Sequence, residues 1–380
     1  MKRKIILILI GFIFLAGLVA LVSLAFYHPQ RKTNQDFANV KPVHAVRVDY
    51  LDIGKSRGEV ADLEAEMKQA GVNMVAVGAG RVDWTYFPWK GRNDRWASEV
   101  RQSGIDFLAE DSARFGKWAH VSAVVDVLAP LYIKAYPETA AISWTGLPSK
   151  NLASTMDLAE GEFGQEILGM IEEIAAHYPV NSILVTELVY YVDGYGEKDQ
   201  TAYLAYTGRA DWPRTIDGQI NIDDPSIGAW RSYEIGRFLE QASRIVHQYG
   251  KQLFVEARVS IDEAGNVLTM GTDLNTILKY ADRLVVWGNH DLGGRSPEAL
   301  SSVGQFLTAY GPDRVILMIG LWDKNYASEI TNDLMSAISA DDLKVAFRAS
   351  TQGGMANQWV TPSFLMNKAH WQVLKEAWSR

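Results

Sequence analysis

Eight short apolar segments, most of them followed by a stretch with helical spacing of apolar residues, make up most of this chain. Strands that are apolar on both faces must be covered on both faces, so repeated strand–helix units require a parallel sheet surrounded by helices. The predicted strands lie at residues 43–49, 72–77, 118–125, 181–187, 252–259, 283–287, 314–319 and 344–349. The predicted helices lie at residues 58–70, 97–115, 160–178, 226–249, 274–280, 297–310, 327–339 and 363–378.

Eight such units fit a closed (β/α)8 barrel, also called a TIM barrel, better than an open sheet. The alternative, an open doubly wound fold, normally carries a glycine-rich turn after its first strand. The first predicted strand is not followed by the G-x-G-x-x-G spacing, and Gly78-Ala79-Gly80 after the second strand lacks the third glycine. We therefore predict an α/β protein with one (β/α)8 barrel over residues 43–380.

The first 29 residues differ in character from the rest. Met1-Lys-Arg-Lys precedes an uncharged run at residues 5–27, which is long enough for a helix to cross a bilayer. The preceding basic residues predict that the amino end stays in the cytoplasm and that the barrel lies outside it. A signal peptide cleaved near Ser23-Leu24-Ala25, which would give a secreted protein, is the alternative. We predict a signal anchor or transmembrane helix at residues 1–29, membrane attachment through residues 5–27, and a polar tether at residues 30–42.

Composition and missing motifs exclude several classes of site. The chain has no cysteine, so thiolate metal sites and thiol nucleophiles are impossible. A net charge of −8 argues against nucleic acid as a partner. The seven histidines form no H-E-x-x-H motif, and the chain contains neither a G-x-S-x-G elbow nor a phosphate-binding loop. We predict no metal and no cofactor.

Two glutamates at the ends of adjacent predicted strands are the predicted catalytic pair. In a (β/α)8 barrel the active site is built from the carboxyl ends of the strands and the loops after them. Glycosidic cleavage needs one protonated and one ionised carboxyl group there, and Glu187 and Glu256 can supply them. Because Glu187 shares its strand parity with Ile183 and Val185, we predict that it points into the barrel. A structural ion pair with an arginine is the alternative role for either glutamate.

Further polar and aromatic residues at the predicted strand ends are expected to bind substrate. Carboxylates and amides bond sugar hydroxyls, aromatic rings pack on sugar faces, and a cation keeps a nearby carboxylate ionised. Capping, loop bracing or packing is the alternative role for each. The predicted substrate-binding residues are Asp49, Trp84, Asp126, Tyr190, Tyr191, Arg258, Trp287, Asn289, His290, Asp291, Trp322, Asp323 and Arg348.

The order of several phrases resembles the glycosyl-hydrolase-like 10 group of bacterial barrels and, more distantly, the hydrolase domains that cut poly-N-acetylglucosamine. The first phrase combines the AGVN sequence at residues 70–73 with Tyr86-Phe87-Pro88. The second is the strand at residues 120–125 with its long loop to Met156-Asp157. The third runs from Tyr178 to Glu187 and continues, after another long loop, to Trp230-Arg231.

The resemblance covers most of residues 43–370 and implies a retaining or inverting hydrolase of bacterial polysaccharide. The family usually has paired acids and a tyrosine after its fourth strand, whereas this chain has one acid in Thr186-Glu187-Leu188-Val189-Tyr190. We predict a glycoside hydrolase that cleaves envelope or exopolysaccharide outside the cytoplasm. A catalytically silent barrel that binds glycan or protein at the membrane surface is the alternative. The long loop at residues 188–225 is expected to be either a lid that closes over the substrate or a decoration at the edge of the barrel without such a role.

Overall fold

The computed structural model describes residues 41–49, 52, 57–325 and 336–378. Eight parallel strands form a closed barrel in which each strand pairs with the next along the chain and the first pairs with the last. The predicted (β/α)8 fold is therefore confirmed. The strands are β1 (His44–Val48), β2 (Met74–Arg81), β3 (His120–Asp126), β4 (Ser182–Thr186), β5 (Gln252–Ala257), β6 (Arg283–Trp287), β7 (Val315–Gly320) and β8 (Gln358–Thr361).

Helices lie between the strands, and several loops carry short additional elements. The helices are α1 (Arg57–Gln69), α2 (Ser98–Ser103), α3 (Phe107–Phe115), α4 (Pro130–Ala135), α5 (Thr155–Ala159), α6 (Glu162–His177), α7 (Glu197–Thr207), α8 (Pro225–Gln248), α9 (Leu274–Ile277), α10 (Leu300–Leu307), α11 (Ala340–Gln352) and α12 (Lys368–Trp378). The long loop after β3 contains a hairpin of Ala140–Ile142 and Pro148–Ala153. The predicted helix at residues 97–115 is divided into α2 and α3, because Gly104 adopts a left-handed conformation between them.

Two apolar cores lie on opposite sides of the barrel wall. The larger one fills the space between strands and helices and includes Ile183, Val185 and Leu239. The smaller one fills the barrel, and its members alternate in sequence with the outward-facing residues, as a strand period of two requires. The interior core consists of Val43, Ala45, Met74, Ala76, Val124, Leu184, Phe254, Val285, Ile316, Met318 and Trp359, with Trp287 packed against it.

The eighth strand does not lie where the sequence predicted it. Residues 344–349 belong to helix α11, and the strand that closes the barrel is β8. The buried residues Leu343, Ala346, Phe347 and Ser350 follow helical spacing. Ser339 caps this helix, since its hydroxyl accepts a hydrogen bond from the backbone N–H of Asp342. The predicted strand at residues 344–349 was therefore wrong, and most of the predicted helix at residues 327–339 lies outside the described residues.

The segment at residues 188–225 has an apolar core of its own. Tyr195, Tyr203 and Trp212 pack with Ile227 and Trp230 at the start of α8. The rings of Tyr203 and Trp212 stack with their centroids 4.3 Å apart. This segment is thus packed against the barrel's largest helix through aromatic contacts.

The predicted anchor at residues 1–29 and most of the tether at residues 30–42 lie outside the described residues. Among the residues that the structure does describe, no helix has both the length and the apolar character needed to cross a bilayer. Membrane attachment through residues 5–27 and a location outside the cytoplasm remain predictions.

Candidate active site

Three carboxyl groups lie at the carboxyl ends of three adjacent strands. Asp126 is the last residue of β3, Glu187 directly follows β4, and Glu256 is the penultimate residue of β5. Asp126 is in register with Thr186, the last residue of β4. Because Val185 is in register with Val255, the next pair along these strands is Thr186 and Glu256. The barrel therefore brings the two predicted catalytic glutamates and Asp126 to one side of its mouth.

Glu256 is placed to hold a proton at neutral pH. Its parity is that of Phe254 in the interior core, and its exposed fraction is 3%. Burial and, to a smaller extent, the negative charge of Glu187 raise the pKa of Glu256 to about 8, against the lowering effects of the Trp287 indole and of Arg258 and Arg47. Removing a carboxylate from water disfavours its charged form. A carboxylic acid that is still protonated at pH 7 can serve as a proton donor.

Glu187 reaches the mouth by a different route from the one that its parity predicted. Ile183 and Val185 face the helices, whereas Leu184 lies in the interior core. An extended continuation of β4 would therefore direct Glu187 outward, so the parity argument was wrong. The backbone of Glu187 instead adopts a left-handed conformation with φ of 67°. Such a conformation costs a residue with a Cβ about 1–2 kcal/mol, and strain of this kind concentrates at functional sites.

A cation holds the Glu187 carboxylate. The Nη2 of Arg258 donates to Oε2 of Glu187 at 2.8 Å, and the two side chains are 26% and 24% exposed. The guanidinium carbon of Arg258 lies 3.7 Å from the ring centroid of Trp287, close enough for a cation–π contact. Trp287 in turn stacks with Trp322 at a centroid distance of 6.4 Å. These contacts pair the Glu187 carboxylate with a cation and build an aromatic wall beside it.

Asp126 is a third acid whose pKa is affected by the charges of Glu187, Arg81 and Arg47. It is buried, and burial together with the charge of Glu187 raises its pKa to about 7. The backbone N–H of Leu128, which donates to Oδ1 of Asp126 at 2.8 Å, lowers this pKa, as do Arg81 and Arg47. Near neutral pH the proton on Asp126 is therefore responsive to the charge on Glu187.

Two arginines near the mouth were not among the predicted site residues. The Nε of Arg47 lies 3.2 Å from Oδ2 of Asp49, and the Nε of Arg81 lies 3.3 Å from Oδ1 of Asp83. Arg81 also lies over the ring of Trp84, 5.5 Å from its centroid. The sequence signal was present, since each cation lies on or at the end of a strand whose neighbours are apolar, where a charge needs a partner. The predicted residues Asp49 and Trp84 thus lie beside these arginines.

The loop after β6 positions Asn289 and His290 differently. Asn289 lies against Gly320 at the end of β7, so closely that a Cβ on Gly320 would overlap the amide. Both amide atoms of Asn289 and both ring nitrogens of His290 are buried without a hydrogen-bond partner among the described residues. Buried polar groups are normally satisfied, so these atoms are available for a water or ligand.

The other predicted site residues pack in a core, lie on an exposed helix or form hydrogen bonds within loops. Arg348 is exposed on helix α11, so its predicted position at a strand end was wrong. Tyr190 is part of the large outer core. The hydroxyl of Tyr191 lies 3.5 Å from Asp223. Asp291 accepts a hydrogen bond from the backbone N–H of Lys324. Asp323 accepts hydrogen bonds from the backbone N–H of Asn325 and the hydroxyl of Ser336, and so braces its own loop.

The fold of eight parallel strands is similar to that of several solved structures, among them a glycoside hydrolase domain, a β-amylase and a chitinase. The PgaB (BpsB) glycoside hydrolase domain from Bordetella bronchiseptica matches with a TM-score of 0.65 at 18% identity, over 88% of this chain and 99% of that domain. The catalytic domain of β-amylase from Paenibacillus polymyxa matches with a TM-score of 0.59 at 11% identity, over 88% of this chain and 96% of the other. A class V chitinase from Pseudomonas fluorescens Pf-5 matches with a TM-score of 0.51 at 11% identity, over 89% of this chain and 100% of the chitinase chain.

The predicted resemblance to glycosyl-hydrolase barrels is confirmed at the level of the fold. At these identities the likeness establishes the architecture, while function depends on the residues at the mouth. No protein-family model matches the chain, and a search of curated proteins finds no match by sequence.

Proposed function

We propose that this protein hydrolyses glycosidic bonds of a polysaccharide at the carboxyl mouth of its barrel. The observation that carries the proposal is the pairing of two acids on adjacent strands in opposite environments. Glu256 is buried and has a pKa of about 8, while Glu187 is ion-paired with Arg258. Glycosidases need this division between a protonated and an ionised carboxyl group.

In the proposed reaction Glu256 transfers its proton to the glycosidic oxygen as the bond from that oxygen to the anomeric carbon breaks. The Glu187 carboxylate can attack the anomeric carbon to form a glycosyl ester, which water then hydrolyses as the ionised Glu256 takes the water's proton and the ester bond to Glu187 breaks. Alternatively, Glu187 takes a proton from a water that attacks the anomeric carbon directly. The first route retains and the second inverts the anomeric configuration. Asp126, whose pKa responds to the charges of Arg47, Arg81 and Glu187, is proposed to bond a sugar hydroxyl near the reacting carbon. Trp287 and Trp322 are proposed to pack against sugar rings.

The proposed substrate is a bacterial envelope or exopolysaccharide, met outside the cytoplasm. Support for a glycan comes from the carboxyl and indole groups at the mouth and from solved neighbours that are glycoside hydrolases. Support for the location comes from the uncharged run at residues 5–27 behind a basic amino end. Asp49 and Asn289 are proposed to bond sugar hydroxyls at the edge of the site.

The test is release of reducing ends from a panel of bacterial glycans by the wild type, Glu187→Gln and Glu256→Gln. Each replacement removes the proton transfer or the negative charge with little change in shape, so we expect the rate to fall at least about a hundredfold. Glu263→Gln, at an exposed glutamate, is the matched control and should keep wild-type turnover. Wild-type rates in both Glu187→Gln and Glu256→Gln would show that these residues do not carry the reaction.

A second candidate function is favoured by the ion pair itself. Arg258 occupies one oxygen of Glu187 and covers the face of Trp287, which is also what a silent glycan-binding barrel would need to neutralise its mouth. A silent barrel would bind glycans from the same panel and release no reducing ends. Release by the wild type, with its loss in Glu256→Gln, would decide for hydrolysis.

A further inference from the structure

A groove of about 660 Å³ lies on the outer side of the barrel, away from the carboxyl groups of the mouth. One face of helix α8 forms its floor through small residues that include Gly228, Ser232 and Gly236. Its walls come from the end of α7 and from the segment at residues 268–280. This volume is within the range of small-molecule sites and is large enough for a short run of sugar units.

Exposed aromatic and aliphatic side chains are concentrated in this groove. The described residues include eight large hydrophobic side chains that are exposed, and three of them, Tyr206, Tyr233 and Leu268, line it. Tyr206 is 46% and Tyr233 50% exposed. Their rings lie with centroids 5.2 Å apart and planes inclined by 33°, so they form one bent aromatic surface. A cluster of exposed apolar area beside polar groups is typical of a binding site.

The groove wall at residues 268–280 packs closely against the glycines of the α8 floor. A Cβ on Gly228 would overlap the carbonyl group of Leu268. A Cβ on Gly236 would lie 3.2 Å from Thr276 and 3.3 Å from Tyr280. The segment at residues 268–280 is thus fixed against α8 and cannot approach further to fill the groove. Such a surface is preformed, and binding to it does not require the walls to be ordered.

The charges that line the groove favour an uncharged ligand. Arg237 is neutralised on both sides, since it donates to Glu160 and to Glu234 at 2.8 Å each. Asp273 caps helix α9 by accepting a hydrogen bond from the backbone N–H of Thr276. Glu240 and Lys279 contribute one charge of each sign. A groove with aromatic surfaces, hydroxyls and balanced charge matches a neutral sugar chain, which offers apolar ring faces and hydroxyl edges.

We propose that this groove is a second, non-catalytic site that binds an uncharged stretch of polysaccharide through Tyr206 and Tyr233. The inference rests on the proposed function, because a polymer that is cut at the mouth extends beyond it. The groove and the mouth are linked by Arg231 of α8, whose Nη2 donates to the carbonyl oxygen of Asp193 and whose Nη1 donates to that of Thr269. Asp193 lies in the loop that begins at Glu187, and Thr269 lies beside the groove wall.

The experiment measures binding separately from hydrolysis. The full chain with Glu256→Gln is run through native gels that contain poly-N-acetylglucosamine, glycol chitin or soluble starch, and dissociation constants are taken from the retardation. Adding Tyr206→Ala and Tyr233→Ala together should weaken binding to the retained glycan about tenfold, in line with the loss of two aromatic contacts. Tyr136→Ala removes an exposed tyrosine outside the groove and should leave binding unchanged.

Each outcome decides the proposal. Unchanged binding in the double tyrosine variant, or no binding of any of the three glycans by the Glu256→Gln chain, overturns it. Sedimentation that shows a dimer of the chain, lost in the tyrosine variant, would assign the groove to a second copy instead and also overturn it. Thermal melting confirms that the variants are folded, and Tyr233→Phe, which keeps the ring, should retain binding. Failure of hydrolysis alone affects the proposed function and leaves this measurement intact.

Discussion

Replacing Glu256 by glutamine should make the protein more stable at neutral and alkaline pH while removing its activity. The ordinary pKa of a glutamate is 4.5, and in the folded protein burial raises the pKa of Glu256 to about 8. Between these values the folded state holds a proton that the unfolded state has released, so the free energy of unfolding decreases as the pH rises. Above pH 8 both states are ionised at this position and the decrease ends. Glutamine does not titrate, and its amide has nearly the shape of the protonated acid.

The size of the effect follows from the linkage between pKa and stability. Each pH unit between the two pKa values is equivalent to about 1.4 kcal/mol. At pH 7 the wild type is therefore destabilised by up to about 3 kcal/mol relative to pH 4.5, and at pH 8 by up to about 5 kcal/mol. Water that enters the mouth and movement of Arg258 reduce these values, so we expect the variant to gain about 1–3 kcal/mol at pH 8.

The assay is urea unfolding of wild type, Glu256→Gln and the surface control Glu263→Gln at several pH values from 5 to 9. The difference between wild type and Glu256→Gln should be small at pH 5, increase up to pH 8 and then level off. The surface control should follow the wild type throughout. Parallel curves for wild type and Glu256→Gln would show that Glu256 is not a buried acid of raised pKa, and the assignment of the proton donor would lose its basis.

Four further outcomes are expected. Activity of the wild type should fall about tenfold per pH unit above pH 8, as the proton donor ionises, in a pH–rate profile on a released glycan. In Glu187→Gln, the loss of unfolding free energy caused by ionisation of Glu256 should end at a lower pH than in the wild type, since the charge of Glu187 raises the pKa of Glu256. Glu187→Gly should be about 1 kcal/mol more stable than Glu187→Ala in urea, because only glycine adopts the left-handed backbone without strain. Arg231→Met should cost about 2–4 kcal/mol and speed proteolysis at residues 188–225, because it removes a buried guanidinium and leaves two partly buried carbonyl groups without their donor. Arg237→Met, on a half-exposed pair, should cost less than about 1 kcal/mol.

Local pattern was sufficient to predict the barrel. Seven of the predicted strands coincide with β1–β7 to within a few residues, because a buried parallel strand reads as a short apolar run and its helix as a longer periodic one. The eighth failed for the same reason that the others succeeded. Residues 344–349 are apolar enough for a strand, whereas β8 begins with a polar residue, Gln358. The side-chain amide of Gln358 donates to the carbonyl oxygen of Phe347 in α11 and accepts a hydrogen bond from the indole N–H of Trp378. Only those contacts make a polar residue suitable for a buried strand.

The two candidate catalytic glutamates were found from the sequence because acids at the ends of parallel strands must converge at one mouth. Their orientation and protonation were not determined locally. Strand parity misdirected Glu187, whose side chain turns at a left-handed residue after the strand has ended, whereas Glu256 shares the parity of Phe254 in the interior core. The pKa of Glu256 depends on burial and on the charges of Arg47, Glu187 and Arg258, and Arg47 and Glu187 are distant from Glu256 in sequence.

Sequence alone thus determined which residue types occupy the strand ends, since periodicity and chain order are properties of the chain itself. The tertiary structure decided which of these residues lie close enough to change one another's pKa, because desolvation and Coulomb forces act through space. It placed Arg258 on Glu187 and Trp287, brought Arg47 and Arg81 to the acids, and removed Arg348 to an exposed helix. It also placed Tyr206 beside Tyr233 on an outer face that no motif in the sequence marks.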